Sequence, residues 1–323
     1  MRTAAEFEQF YQTSLRPVLE DMEAIRKKTV SRVLLTGAIS LILALLIFIG
    51  FATTGNKGNG MYILIVVCLA GGVGIYSIIA GRYKADFKTK LIGPMISFFD
   101  PGLRYDPDGC ILEEEFASSG VFRHAVDRYN GHDLVEGILG KTAVRFSEVE
   151  AEYKTESRDS KGNRETKWHT IFKGLFFVGD FNKRFSGTTY VLPDTAQRLF
   201  GPMGQALQSL DSSHGQLVKM EDPEFERAFV VHSSDQIEAR YILSPALMRR
   251  ILDFKNTNKR AVHIGFADSC VYLALELRKE MFAPKLFSTL LDPAVVHAYW
   301  NDLNLATGIV EDLNLNTRIW TKE

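Results

Sequence analysis

The chain has 323 residues and a mass of 36.3 kDa, room for about two domains; it is 46% hydrophobic and 24% charged, with a net charge of −1 and a pI near 6.7. That balance excludes a strongly basic nucleic-acid binder. The charge is unevenly spread, since Lys57 is the one formal charge between Val33 and Ala80, so a wholly soluble protein is not expected.

Residues 1–32 predict an amphipathic helix on the cytosolic side. Thr3 with Glu6 three residues later is a capping-box pattern, and Phe7, Phe10, Tyr11, Leu15, Leu19, Met22 and Ile25 follow at spacings of three and four. Pro17 is expected to bend or restart this helix. Residues 33–80 then read as a transmembrane hairpin. Val33 to Phe51 and Met61 to Ala80 are uncharged runs, each long enough at ~1.5 Å per residue to cross a bilayer core of ~30 Å.

Orientation follows from basic residues at the ends of the spans. Arg26, Lys27, Lys28 and Arg32 precede the first, and Arg82, Lys84, Lys88 and Lys90 follow the second, whereas the connecting loop carries only Lys57. Both termini are therefore expected in the cytoplasm. Gly37, Ser40 and Ala44 on the first span, and Ala70, Gly74, Ser77 and Gly81 on the second, form small-residue faces suited to packing the pair or joining two copies in a homo-oligomer. Neither span holds an ionisable group, which argues against a channel or pump.

A juxtamembrane helix follows over 81–102. Its apolar stripe, Phe87, Leu91, Met95, Phe98 and Phe99, is expected to bury against the first helix as a short stalk, with Pro94 as a break.

The remainder, 103–323, reads as a mostly antiparallel α+β domain, either one unit or two halves, 103–210 and 211–323, dividing near Ser209 to His214. Strands are expected over Leu134–Leu139, Lys141–Lys154, Trp168–Gly179, Thr188–Leu192, Gln216–Met220, Glu224–His232, Ala261–Phe266 and Cys270–Leu277. The apolar phase changes between Phe146 and Val149, which predicts a bulge. Ser244-Pro245 and Asp292-Pro293 each open a helix with a capping residue before proline.

Chemistry is sparse. Cys68, Cys110 and Cys270 have no metal-ligand spacing and suit reduced thiols, the seven histidines are scattered, and Asp106-Pro107-Asp108-Gly109 reads as a turn. No catalytic, cofactor or metal motif is present. The densest polar cluster holds the candidate functional surface, His232, Asp235, Glu238, Arg240 and Tyr241. There, Ser233 or Ser234 is expected to cap a helix with Gln236 or Glu238 as reciprocal partner, leaving Glu238 and Arg240 on the helix wall.

The run EDPEFERAFVVHSSDQIEARYILSPALMRRIL, with FEQFYQTSLRP, YNGHDLVEGILG, VRFSEVEAEYK, FKGLFFVGDFNK and the ending VEDLNLNTRIWTKE, resembles the bacterial two-span proteins of domain-of-unknown-function family 3137, sometimes labelled galanin-like. The resemblance covers essentially the whole chain. It implies a protein of the bacterial inner membrane and, as partners, LemA-type membrane proteins; it brings no reaction, ligand or catalytic residue. The expected function is a membrane-anchored cytosolic interaction or scaffolding module. The alternative is a membrane-tethered enzyme or ligand-binding domain at the cytoplasmic surface.

Overall fold

The computed structural model describes residues 3–54, 59–158, 164–181, 183–194 and 214–317. The tip of the charged hairpin, 159–163, and all but the last residue of the expected division near Ser209 to His214 lie outside them. The chain forms two compact units, Met1–Phe99 with Phe282–Trp300, and Asp100–Met281 with Asn301–Glu323.

The first unit is helical. Helix α1 (Ala4–Phe10) begins at the expected capping box: Thr3 Oγ1 accepts from the Glu6 N–H, and the Glu6 carboxylate accepts from the Thr3 N–H at 2.7 Å. Pro17 does not interrupt the helical path. A π-helical turn, Tyr11–Leu15, precedes it, and α2 (Arg16–Thr54) runs on through it. The second long helix, α3 (Gly60–Phe87), meets its proline the same way: the π turn Lys88–Ile92 comes before Pro94, and α4 (Gly93–Phe99) carries on. In each case the last residue of the π turn lies two positions before the proline. A proline ring collides with the carbonyl four residues back and donates no hydrogen bond. The wider turn, in which Arg16 N–H reaches Tyr11 O and Gly93 N–H reaches Lys88 O, relieves that conflict while the helical path continues.

Helices α2 and α3 are long and apolar enough to cross a membrane, and the rest of the chain covers almost nothing of their apolar windows. Thr36 and Ser77 bond back to Arg32 O and Val73 O. Of the expected small-residue faces, Ser40 of the first is used between the pair, but its partner Gly72 lies off the expected face of the second. Ser40 fits against Gly72, where any Cβ would collide with its hydroxyl, whereas Gly37, Gly74 and Gly81 face open space.

The expected stripes are buried at Phe7, Tyr11, Leu15, Leu19 and Met22, and at Phe87, Leu91, Met95 and Phe99. Phe10 stacks on Phe98 at 4.0 Å. A third element joins them, because Trp300 stacks on Phe7 at 4.2 Å and Tyr299 meets Phe87 edge-on at 5.4 Å. Both belong to the last helix, α9 (Pro293–Asp312), whose residues from Asn301 onward belong to the other unit.

In the second unit, nine strands among the described residues form one sheet in the order β1-β2-β3-β4-β9-β8-β5-β7-β6. They are β1 (Leu103–Asp106), β2 (Arg128–Leu139), β3 (Thr142–Arg158), β4 (Arg164–Asp180), β5 (Thr189–Pro193), β6 (Gln216–Val218), β7 (Phe229–Ser233), β8 (Val262–Ala267) and β9 (Cys270–Glu276). Every pairing is antiparallel. With the helices, this is an α+β fold. Short helix α5 (Glu113–Ser118) sets Phe116 into a core with Ile111, Val121, Val149, Phe172, Phe176 and Tyr272.

Two expectations are corrected here. Strand β3 has no bulge where the apolar phase changes; it buries Val144 and Phe146 on one face and Val149 and Ala151 on the other, and Ser147 and Glu148 between them are buried too. The extra residues lie on its neighbours, in β2 between His132 and Val135 and in β4 opposite Ala151 and Glu152. The run Glu224–His232 is not all strand. Asp222 accepts from the Glu224 and Phe225 N–H groups and opens a helix, α6 (Pro223–Ala228), before β7 begins. This is a third cap-then-proline start, like those of α8 (Pro245–Asn258) after Ser244 and of α9 after Asp292.

Candidate functional site

The candidate surface begins on β7, where His232 lies between Tyr190 of β5 and Leu217 of β6 in the sheet register. Its ring is buried, Nδ1 has no hydrogen-bond partner, and burial holds its pKa below the usual histidine value. Beyond it, Asp235 and neither serine caps helix α7 (Gln236–Ile242): its carboxylate accepts from Ile237 N–H at 2.7 Å and Glu238 N–H at 3.1 Å. Ser233 is committed elsewhere. Its hydroxyl lies 2.9 Å from Thr188 O and accepts from Asp235 N–H at 3.1 Å.

That last bond redirects Glu238. In a capping box the third helical residue reaches back to the N–H of the cap, but here Ser233 already holds that N–H. The Glu238 carboxylate instead accepts from Ser186 N–H at 2.8 Å and Gly187 N–H at 2.7 Å, tying α7 to the loop before β5. Gly187 is needed for this approach, because a Cβ there would lie 2.5 Å from Glu238 Oε2. Arg240 donates to Gln236 O at 3.0 Å and Lys219 O at 3.3 Å. Tyr241 is half-exposed, and Lys183 donates to its carbonyl while its ammonium lies 4.5 Å from the ring centre.

His232, Asp235, Glu238, Arg240 and Tyr241 therefore do not converge on one reacting atom. Arg184, Phe185, Ser186, Glu238 and Ser269 line an open cleft of about 530 Å³, and Ile237, 82% exposed, and Tyr241 stand one turn apart on α7.

A second cluster escaped the sequence reading. His132 of β2 pairs with Glu148 of β3 in the sheet register, directly beside the β2 bulge. The next residue, Asp133, has a φ of 63°, which turns its carboxylate toward both His132 Nδ1, 2.7 Å away, and the Tyr105 hydroxyl, which donates to it. Glu148 is buried and accepts from Met281 N–H at 2.9 Å. Burial raises its pKa, and the Met281 bond opposes that. Donor atoms of His132, Asp133 and Glu148 lie within 4.8 Å of one another, and a cleft of about 40 Å³ opens beside His132 and Glu148. One imidazole and two carboxylates are a donor set for a borderline or hard divalent cation. Each already has a protein partner that explains its position. The signal in sequence is faint: His132 and Asp133 lie sixteen and fifteen residues from Glu148, and only the strand register joins them.

A third polar group lies in the helical unit. Arg26 grips the buried Glu23 carboxylate with two nitrogens, at 2.7 and 2.8 Å, and donates to Leu286 O at 2.8 Å; Leu290 N–H donates to Glu23 at 3.0 Å. The Arg26 bond drives the Glu23 pKa down from 4.5 to about 2, against the opposing effect of burial.

No curated protein matches the chain. The crystal structure of the mycobacterial trehalose monomycolate transport factor A, TtfA, is similar over 72% of this chain and 96% of that one, at 10% identity and a TM-score of 0.31, too low a score to support an argument. The model of the family described as Protein of unknown function (DUF3137) matches residues 170–315, from within β4 to just beyond α9.

Proposed function

We propose that the chain is a two-span protein of a bacterial inner membrane, both termini cytoplasmic, whose hairpin holds the α+β domain at that surface as a docking module for a protein partner. The observation carrying the reading is the pair of long apolar helices left almost uncovered by the rest of the chain; outside a bilayer such faces would drive aggregation. Basic flanks on both sides of the hairpin support the orientation. The exposed Ile237 and Tyr241 on α7, beside residues whose polar atoms are engaged in holding the fold, support a docking surface over a reacting centre. A LemA-type membrane protein is the proposed partner, and the outward Gly37, Gly74 and Gly81 suit a second copy. The His132, Asp133 and Glu148 cluster favours the second reading, a ligand-binding or enzymatic domain tethered to the membrane.

Topology is tested in a variant with the native cysteines replaced by serine. Asn59→Cys should react with an impermeant thiol reagent applied outside intact cells, and Ser118→Cys only after lysis. The reverse labelling would overturn the orientation.

A further inference from the structure

We propose that the loop between Phe282 and Pro293 is a second membrane contact, in which Phe287 and Leu291 enter the headgroup layer of an anionic bilayer beside the hairpin. The inference rests on the membrane reading above and adds to it a lipid-binding element far away in sequence. Three observations meet in this loop. First, it is fastened to the helix that leads into the first span: Arg26 holds Leu286 O, and Glu23 holds Leu290 N–H. Leu290 itself is fully buried, so the loop cannot swing free of α2.

Second, between these fastened points the chain leaves large apolar side chains uncovered. Phe287 is 67% exposed and Leu291 45%. Among the described residues of this unit, every other large apolar side chain with comparable exposure lies in the two spans. Phe287 and Leu291 lie four residues apart at the base of the hairpin, and an interfacial element presents Phe and Leu together with basic residues.

Third, position and charge agree. Arg26 precedes Val33 by seven residues, which at ~1.5 Å per residue places the fastened loop about 10 Å along the axis from the start of the uncharged run. The headgroup layer extends roughly 5–8 Å beyond the hydrocarbon, within reach of side chains from that level. Lys27, Lys28, Arg32 and Lys285 are all exposed around it, and a surface of anionic lipid attracts such a cluster. The loop itself carries one exposed acid, Asp292, whose carboxylate is engaged with Ala294 N–H at the start of α9, against the four basic residues, and Glu20 and Asp21 lie further back along α2. These features commit the site to lipid in preference to a second copy or a protein partner.

The test uses the full chain, native cysteines replaced by serine, in liposomes with and without a quarter of phosphatidylglycerol. A nitroxide is attached after Phe287→Cys, and separately after Leu45→Cys in the first span and Ser118→Cys in the α+β domain. Its accessibility to oxygen and to a water-soluble nickel chelate reports depth. The label at position 287 should read between the other two, with the ratio of oxygen to nickel accessibility at least severalfold above that at 118, and deeper when phosphatidylglycerol is present. An aqueous reading at 287 with a bilayer reading at 45 overturns the lipid contact while leaving the hairpin in place. Protection from both reagents marks a protein occupant and also overturns it. An aqueous reading at 45 would remove the membrane reading itself, and the loop proposal with it.

Discussion

Replacing Glu23 by Gln should release the loop that ends at Leu290. Glu23 and Arg26 have side chains only 5% and 12% exposed and share a bidentate contact. The carboxylate pKa falls from 4.5 to about 2 in the fold. At about 1.4 kcal/mol for each tenfold change, this favours the ionised, folded form by about 3 kcal/mol, in line with the ~3–5 kcal/mol lost on breaking a buried ion pair. Gln keeps an acceptor for Leu290 N–H but leaves the Arg26 guanidinium, whose own pKa the carboxylate raises, buried without a counter-charge. Amide hydrogen exchange on the full chain in nanodiscs reads the consequence locally: protection at Leu290 should drop by about a hundredfold, with exchange in α3 unchanged. The sign of the pH dependence follows from the depressed pKa. The contribution is complete above about pH 4.5 and disappears as pH falls through about 2, so protection in the wild type should be flat from pH 5 to 8 once intrinsic exchange is corrected. If Glu23→Gln leaves Leu290 as protected as before, the clamp does not hold the loop.

Glu238→Gln removes charge from an acceptor of two backbone N–H groups; because the site is partly open to solvent, we expect a loss of about 2 kcal/mol and a melting point lower by about 4–8 °C, whereas Arg240→Lys, exposed and bonded to carbonyls, should cost under ~1 kcal/mol. A Glu238→Gln variant that melts like wild type but no longer crosslinks to a LemA-type partner would move Glu238 from the scaffold to the recognition surface. Asp302→Asn should stabilise the chain at neutral pH, because burial holds the Asp302 pKa up at about 6 against 3.8 unperturbed. A raised carboxyl pKa means the ionised form is disfavoured in the fold, so the advantage of Asn, up to about 3 kcal/mol at pH 7, should shrink as pH falls through 6 and vanish below about 4. An advantage that does not vary with pH would place its origin in packing.

How much of this was legible in the sequence depended on how local the determining interaction is. The capping box at Thr3 and Glu6 and the helix starts at Ser244-Pro245 and Asp292-Pro293 depend on neighbours within a few positions, and each is found where the pattern put it; the strands rich in Val, Phe and Tyr are found with shifted bounds, β2 opening at Arg128 and β6 ending at Val218. The Asp222-Pro223 helix carries the same signal but was masked by the apolar run Phe229–Val231 just after it, which drew the strand too far back. Register could not be read. The phase change in β3 identifies two buried faces, and only the neighbouring strands and the helical cover decide whether that requires a bulge. His132 and Glu148 are joined by the same information.

The two π turns show why a proline need not mark a boundary. Pro17 and Pro94 sit in helices whose apolar stripes are buried on both sides of the irregular turn: Tyr11 and Leu15 lead to Leu19 and Met22, and Leu91 and Ile92 to Met95, Ile96 and Phe99. Stopping either helix would uncover several large side chains, each worth about 1.5–3 kcal/mol when buried, against about 3 kcal/mol for a proline in a regular helix. Inserting a π turn is the cheaper response, since it widens the backbone around the ring and advances the stripe by one residue. The buried positions on either side of each turn keep to one stripe across it. A proline inside an apolar stripe that is buried on both sides is thus compatible with a helix that continues, and the packing of Phe10 on Phe98 and of Phe7 on Trp300 accompanies that continuation.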